Sequence, residues 1–194
     1  MSARVVVLVS GTGSNARALV RACERGDLAA EVVAVVADRP CRGLELATAE
    51  GIPTELVLPR DYPGRAEWSS ALRDTVLAYA PDVVVSAGFM RVLAPAFVDQ
   101  FAGRLINLHP SLLPAFPGAH AVRDALAAGV KVTGTTIHFV DHEVDHGPIL
   151  LQEPVRVAAD DDEESLHERI KQVEHRLIVE GCRMVLADAA VARP

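Results

Sequence analysis

The stretch Arg4-Val5-Val6-Val7-Leu8-Val9-Ser10-Gly11-Thr12-Gly13-Ser14-Asn15-Ala16 decides the fold class. Its first half is an unbroken aliphatic run, the pattern of a strand buried on both faces of a parallel sheet. Its second half ends that run at Ser10-Gly11 and opens a helical pattern over residues 15–25, so a strand passes into a helix through a glycine turn. The same order recurs downstream. Apolar runs at residues 30–37, 53–57, 83–87 and 105–108 alternate with helical patterns at 44–50, 66–79, 95–100 and 121–128. Repeated strand-then-helix order requires crossover connections, and these build a doubly wound α/β fold on a mostly parallel sheet. After Val130 the rhythm changes. Residues 132–140 and 148–157 read as two strands with a short loop between them, a late antiparallel pair. A C-terminal helix over residues 163–187 follows the acidic run Asp160 to Glu164, where negative charge favours a helix N-terminus. No repeat, low-complexity tract or linker interrupts the pattern, so one domain over residues 1–194 is expected.

Composition narrows the function. The chain has 194 residues, half of them hydrophobic and 23% charged, with 26 acidic against 19 basic side chains and a net charge of −7. That is enough apolar surface for a core, and the wrong charge for a protein that binds along a nucleic-acid backbone. Cys23, Cys41 and Cys182 are odd in number and far apart, which argues against a disulfide framework or zinc ribbon and fits a reducing cytoplasm. The apolar run after Arg4 is too short for a signal peptide, and no stretch approaches a membrane span.

Three motifs carry chemistry. The turn from Ser10 to Ala16 offers free backbone N–H groups and a positive helix end to an anion. Gly11-x-Gly13-x-x-Ala16 also satisfies a dinucleotide fingerprint, with Asp38 where a ribose-binding acid would stand. On these residues alone an anion site, a dinucleotide site and a plain tight turn all remain open. His142-Glu143-Val144-Asp145-His146 matches H-E-x-x-H, but zinc chemistry needs both histidines on one helix face. A strand leads into this segment and Gly147-Pro148 closes it, so no metal site is expected. Third, Asn107-Leu108-His109-Pro110-Ser111-Leu112-Leu113-Pro114 ends the fifth strand. Asn107 and His109 are two apart and share a side of the strand, at the carboxyl edge where open α/β sheets place ligands. A carboxamide beside an imidazole suits an oxygen that gains charge during reaction, and a carboxylate from elsewhere would orient that imidazole.

With Pro81 to Arg91, Pro117-Gly118, His138-Phe139-Val140 and Asp145-His146-Gly147-Pro148-Ile149, these segments make the chain resemble the phosphoribosylglycinamide formyltransferases, within the folate-dependent formyl transferases. The resemblance runs in order from Val5 to His175. Relatives acting on methionyl-tRNA carry an additional C-terminal domain, and those hydrolysing formyltetrahydrofolate an additional N-terminal one; 194 residues leave room for neither. The resemblance implies a Rossmann-like formyltransferase fold and direct formyl transfer from the co-substrate 10-formyltetrahydrofolate to the amine of glycinamide ribonucleotide, in purine biosynthesis and without a metal. It makes Asn107, His109 and Asp145 catalytic. It assigns Gly13, Ser14, Asn15, Lys171 and Glu174 to the ribonucleotide. To the folate it assigns Arg65, Met90, Arg91, Val92 and Leu93, together with Asn107, Asp141, His142, Glu143, Val144 and Asp145. It further implies small-molecule partners, no nucleic acid or membrane, a cytoplasmic enzyme, and a monomer or homodimer.

The chain departs from that pattern at His142 and in the tail after His175. Two other readings compete. A nicotinamide-dependent oxidoreductase would rest on Gly11 to Ala16 with Asp38 but leaves Asn107, His109 and Asp145 without a task. A silent binding module would not need all three.

Overall fold

The computed structural model describes residues 2–191. Among the described residues, seven strands form one sheet in the order β3-β2-β1-β4-β5-β6-β7. They are β1 (Ala3–Val9), β2 (Ala30–Ala37), β3 (Thr54–Leu56), β4 (Val83–Ser86), β5 (Leu105–His109), β6 (Val132–Phe139) and β7 (Ile149–Arg156). The helices are α1 (Ser14–Glu24), α2 (Arg42–Ala49), α3 (Arg65–Ala78), α4 (Pro95–Gln100), α5 (Ala121–Ala127) and α6 (Glu163–Val191). β1 to β5 run parallel, whereas β6 is antiparallel to both β5 and β7. The expected α/β class, late antiparallel pair and C-terminal helix are therefore present. The third strand is shorter than its apolar run suggested, and a 3-10 turn at Pro59–Asp61 follows it.

The aliphatic run of β1 explains why the sheet is covered on both sides. Val5, Val7 and Val9 point into a layer built with Leu19 and Ala22 of α1 and Leu177, Ile178 and Cys182 of α6. Val6 and Leu8 point into the opposite layer, with Trp68, Leu72 and Val76 of α3 and Phe97 of α4. Val5 to Val9 are all fully buried, each side chain contributing about 1.5–3 kcal/mol of transfer free energy. α6 begins at a reciprocal cap: Ser165 N–H donates to Asp162 Oδ1 at 2.8 Å and Asp162 N–H to Ser165 Oγ at 3.1 Å.

Sheet order sets the position of the site. Strand order reverses between β1 and β4, and in open α/β sheets ligands bind in the crevice at the carboxyl ends of strands beside such a switch point. The turns after β1, β4 and β5 all emerge there.

Candidate active site

Those turns, the 140–148 loop between β6 and β7 and one face of α6 line a single cleft of about 570 Å³. It brings together every residue that the resemblance assigns to catalysis or binding except Arg65, which stands exposed at the start of α3, outside the cleft.

At its centre Asn107 and His109 project from β5 towards Asp145. His109 Nδ1 lies 3.3 Å from Asp145 Oδ2. Its Nε2–H donates to the Phe116 carbonyl at 2.8 Å, so the buried imidazole has an acceptor at each nitrogen. Asp145 Oδ2 also accepts the Gly118 N–H at 2.7 Å, and Asn107 Nδ2 lies 3.4 Å from Asp145 Oδ1. Burial pushes the Asp145 carboxyl up, but the nearby His138 ring, the hydrogen bond from Gly118 N–H and the charge of His109 outweigh it. The carboxyl is held below its ordinary value and stays ionised at neutral pH. Asp145 (φ 53°) and Phe116 (φ 54°) adopt left-handed backbone conformations. Such strain costs of order 1–3 kcal/mol each and gathers where side chains are aimed for function.

The cluster has a fourth member, to which the sequence alone gives no role. His138 is buried on β6, directly opposite Asn107 in the antiparallel register. Its Nδ1–H donates to the Phe139 carbonyl at 2.9 Å, which turns Nε2 towards Asn107 Nδ2 at 3.2 Å and Asp145 Oδ1 at 3.7 Å. Only the register of β5 against β6 reveals this.

One end of the cleft is formed by the start of α1 and the facing side of α6. Gly13 (φ 73°) leads into α1, whose first N–H groups have no partner within the helix. A Cβ on Gly13 would lie 2.5 Å from the Gly43 Cα, and Gly43 N–H donates to the Gly11 carbonyl at 2.9 Å. Glycine is required because two backbones touch, independently of any ligand. Lys171 and Glu174 of α6 face this end, as does His167 one turn earlier. Asn15 Nδ2 donates to Glu174 Oε2 at 3.0 Å, while Asn15 Oδ1 is buried with no partner among the described residues. Burial pushes the Glu174 carboxyl up, and Asn15 and Lys171 offset this only in part. His167 escaped the sequence reading, although its spacing of four from Lys171 places both on one helix face.

The other end is apolar. Met90, Val92 and Val144 are large hydrophobic side chains about half exposed, and all three line the cleft. Arg91 and Leu93 complete one wall, and Asp141, His142 and Glu143 the loop opposite. Within that loop the histidines of the H-E-x-x-H match turn to separate acids. His142 Nε2 lies 2.7 Å from Asp99 Oδ1, and His146 Nδ1 lies 2.9 Å from Asp141 Oδ2. The segment is not helical, and no cluster of three or more His, Cys, Asp or Glu able to hold a metal occurs among the described residues. No helix among them is long and apolar enough to cross a membrane. Asp38 is not free for a ribose either. Its carboxylate accepts hydrogen bonds from Ser10, Arg39 and Arg91.

The profile of the formyl transferase family matches residues 3–182. The phosphoribosylglycinamide formyltransferase of Mycobacterium tuberculosis (strain ATCC 25618 / H37Rv) is 56% identical over 177 residues, covering 91% of this chain and 82% of that protein. The Escherichia coli (strain K12) protein of the same name is 44% identical over 174 residues, covering 89% and 82%. Among solved structures, glycinamide ribonucleotide transformylase 1 from Symbiobacterium toebii superposes with a TM-score of 0.92 at 43% identity, covering 94% of this chain and 86% of that one.

Proposed function

The chain belongs to the formyl transferase family, and on that premise we propose that it transfers the formyl group of 10-formyltetrahydrofolate to the amine of glycinamide ribonucleotide, as one domain acting in the cytoplasm on purine biosynthesis. The observation that carries the reading is the convergence of Asn107, His109 and Asp145 midway along one cleft, with a helix N-terminus and Lys171 at one end and an apolar wall at the other.

In this reading the ribonucleotide phosphate meets the N–H groups that follow Gly13 and the Lys171 ammonium, where dipole and charge act together. The Asn15 oxygen is left to accept from a sugar hydroxyl. The flat pterin lies against Met90 to Leu93 and the loop from Asp141 to Val144, and Arg65 waits outside for a distal carboxylate. The amine nitrogen attacks the formyl carbon, the carbon–N10 bond breaks, and one proton passes from the amine to N10. Asn107 and His109 donate to the oxygen as it becomes negative, each such donor being worth about 2.7–4 kcal/mol. In the cleft these donors already have internal acceptors, Phe116 for His109 and Asp145 for Asn107. The formyl oxygen must compete with these, and it does so best when it carries charge, which favours the transition state over the substrate. Asp145 orients His109 and handles the amine proton, which it does not retain because its own affinity for protons is depressed.

The scheme calls for no metal, and turnover should survive chelation. The deciding experiment offers 10-formyltetrahydrofolate with glycinamide ribonucleotide, methionyl-tRNA or water alone. Turnover with the ribonucleotide and neither of the others is expected, and preference for another acceptor would overturn the assignment.

A further inference from the structure

We propose that Asp38 is a positioning residue for the folate side of the cleft, acting through Ser10 and Arg91 to fix the wall at residues 88–91; this rests on the reading that the apolar end takes folate. The wall is neither helix nor strand, so no ladder of backbone hydrogen bonds holds its shape. Its tethers are specific. Ser10 N–H donates to the Gly88 carbonyl at 3.2 Å, Met90 N–H donates to Ser10 Oγ at 2.8 Å, and Arg91 Nε donates to Asp38 Oδ2 at 2.7 Å.

Asp38 joins the last two. Ser10 Oγ–H donates to Asp38 Oδ1 at 2.6 Å, which turns the hydroxyl lone pairs to the Met90 amide. The network crosses three adjacent strands at the switch point. Val9 and Ala37 are partners in the β1/β2 register, so Ser10 and Asp38 leave those strands side by side, while the wall leaves β4 on the other side of β1. The Asp38 side chain is 0% exposed and Arg91 43% exposed. A buried carboxylate thus grips an arginine whose other face borders the cleft. Burial disfavours the charged carboxylate, but Arg39, Ser10 and Arg91 more than compensate and keep it ionised.

Arg39 supplies an internal control. It pairs with the same carboxylate at 2.8 Å, is 45% exposed, and does not line the cleft. If Asp38 merely needs a counter-ion, Arg39 and Arg91 are equivalent. If Asp38 aims the wall, they are not.

The test measures KM for each substrate in steady-state formyl transfer, with calorimetric titration of 10-formyltetrahydrofolate, in D38N, S10A, R39Q and the D38N/S10A pair. Loss of a charge-assisted tether should raise the folate KM of D38N about tenfold, with the ribonucleotide KM within about twofold. S10A should raise the folate KM less, and the double variant should fall short of the product of the single effects. R39Q should leave the folate KM unchanged. An equal rise in both KM values in D38N, or a rise in R39Q matching that of D38N, would overturn the proposal. If D38N does not fold, an unaltered folate KM in S10A overturns it equally. Absence of turnover in the unaltered chain with folate binding retained would sink the assigned reaction, and the titrations would still decide the role of Asp38. Absence of folate binding in the unaltered chain would overturn both.

Discussion

Replacing Asp145 by asparagine separates charge from shape at the centre of the cleft. The carboxylate accepts from Gly118 N–H at 2.7 Å and faces His109 Nδ1 at 3.3 Å through the same oxygen, with Asn107 Nδ2 3.4 Å from the other. An asparagine can keep its carbonyl oxygen on Gly118 and His109, but its amide nitrogen then meets the Asn107 nitrogen donor to donor. Hydrogen bonds to charged groups contribute about 1.5–3 kcal/mol against about 0.5–1.5 for neutral ones. Losing the charge at two contacts should therefore cost roughly 2–4 kcal/mol of transition-state stabilisation, about 30- to 1000-fold in rate. His109→Ala removes an oxyanion donor and should cost about 2.7–4 kcal/mol. Independent effects would sum to roughly 5–8 kcal/mol in the double variant. Because Asp145 acts largely through His109, the double variant should instead lose little more than the worse single one. Single-turnover formyl transfer at neutral pH, with thermal melting to verify folding, measures all three. Additivity within about 0.5 kcal/mol would refute the coupling and make Asp145 an independent proton carrier.

Three further outcomes follow from the geometry. Gly13→Ala places a side chain on a left-handed residue and against the Gly43 backbone, costing about 1–2 kcal/mol in backbone strain and about 1–3 in overpacking; a midpoint lowered by less than about 2 °C in a thermal melt would contradict it. Lys171→Ala should raise the ribonucleotide KM about ten- to hundredfold and leave that of the folate unchanged, and an equal rise in both would remove Lys171 from the phosphate end. Glu174→Gln should stabilise the protein at neutral pH. The folded-state carboxyl is raised by burial, so its favourable contribution is complete below the unfolded value and is lost as pH rises through the folded one. The gain in midpoint should disappear on acidification, and a gain independent of pH would show that the charge is not its cause.

What was legible in the sequence was what depends on period. The β1 run alternates Val5, Val7 and Val9 with Val6 and Leu8 between two layers because a strand buried on both faces needs no polar positions, and Asn107 and His109 share a side because they are two apart. Proximity across long loops was not legible from the residues alone. Asp145 reaches the β5 pair through a connection of 36 residues or more in sequence separation, and the resemblance, not the spacing, nominated it. His138 meets Asn107 only through strand register. The resemblance assigns Gly13 to the ribonucleotide, and the sequence gives no sign of its close contact with Gly43, a partner 30 residues away that no local pattern announces. Asp38 matched a ribose-binding acid by position, yet two arginines and a serine saturate it. Arg65 had no periodic support, and it stands apart from the cleft.

The most direct test of the central claim follows the carbon itself. With 10-formyltetrahydrofolate carrying carbon-13 in the formyl group, glycinamide ribonucleotide and a chelator present, NMR should show the label leaving the folate and appearing one-for-one in a new formamide on the ribonucleotide. The Asn107→Ala variant should carry out the same transfer slowed by about 2.7–4 kcal/mol. Label appearing as free formate, or remaining on the folate while the ribonucleotide is bound, would contradict the account.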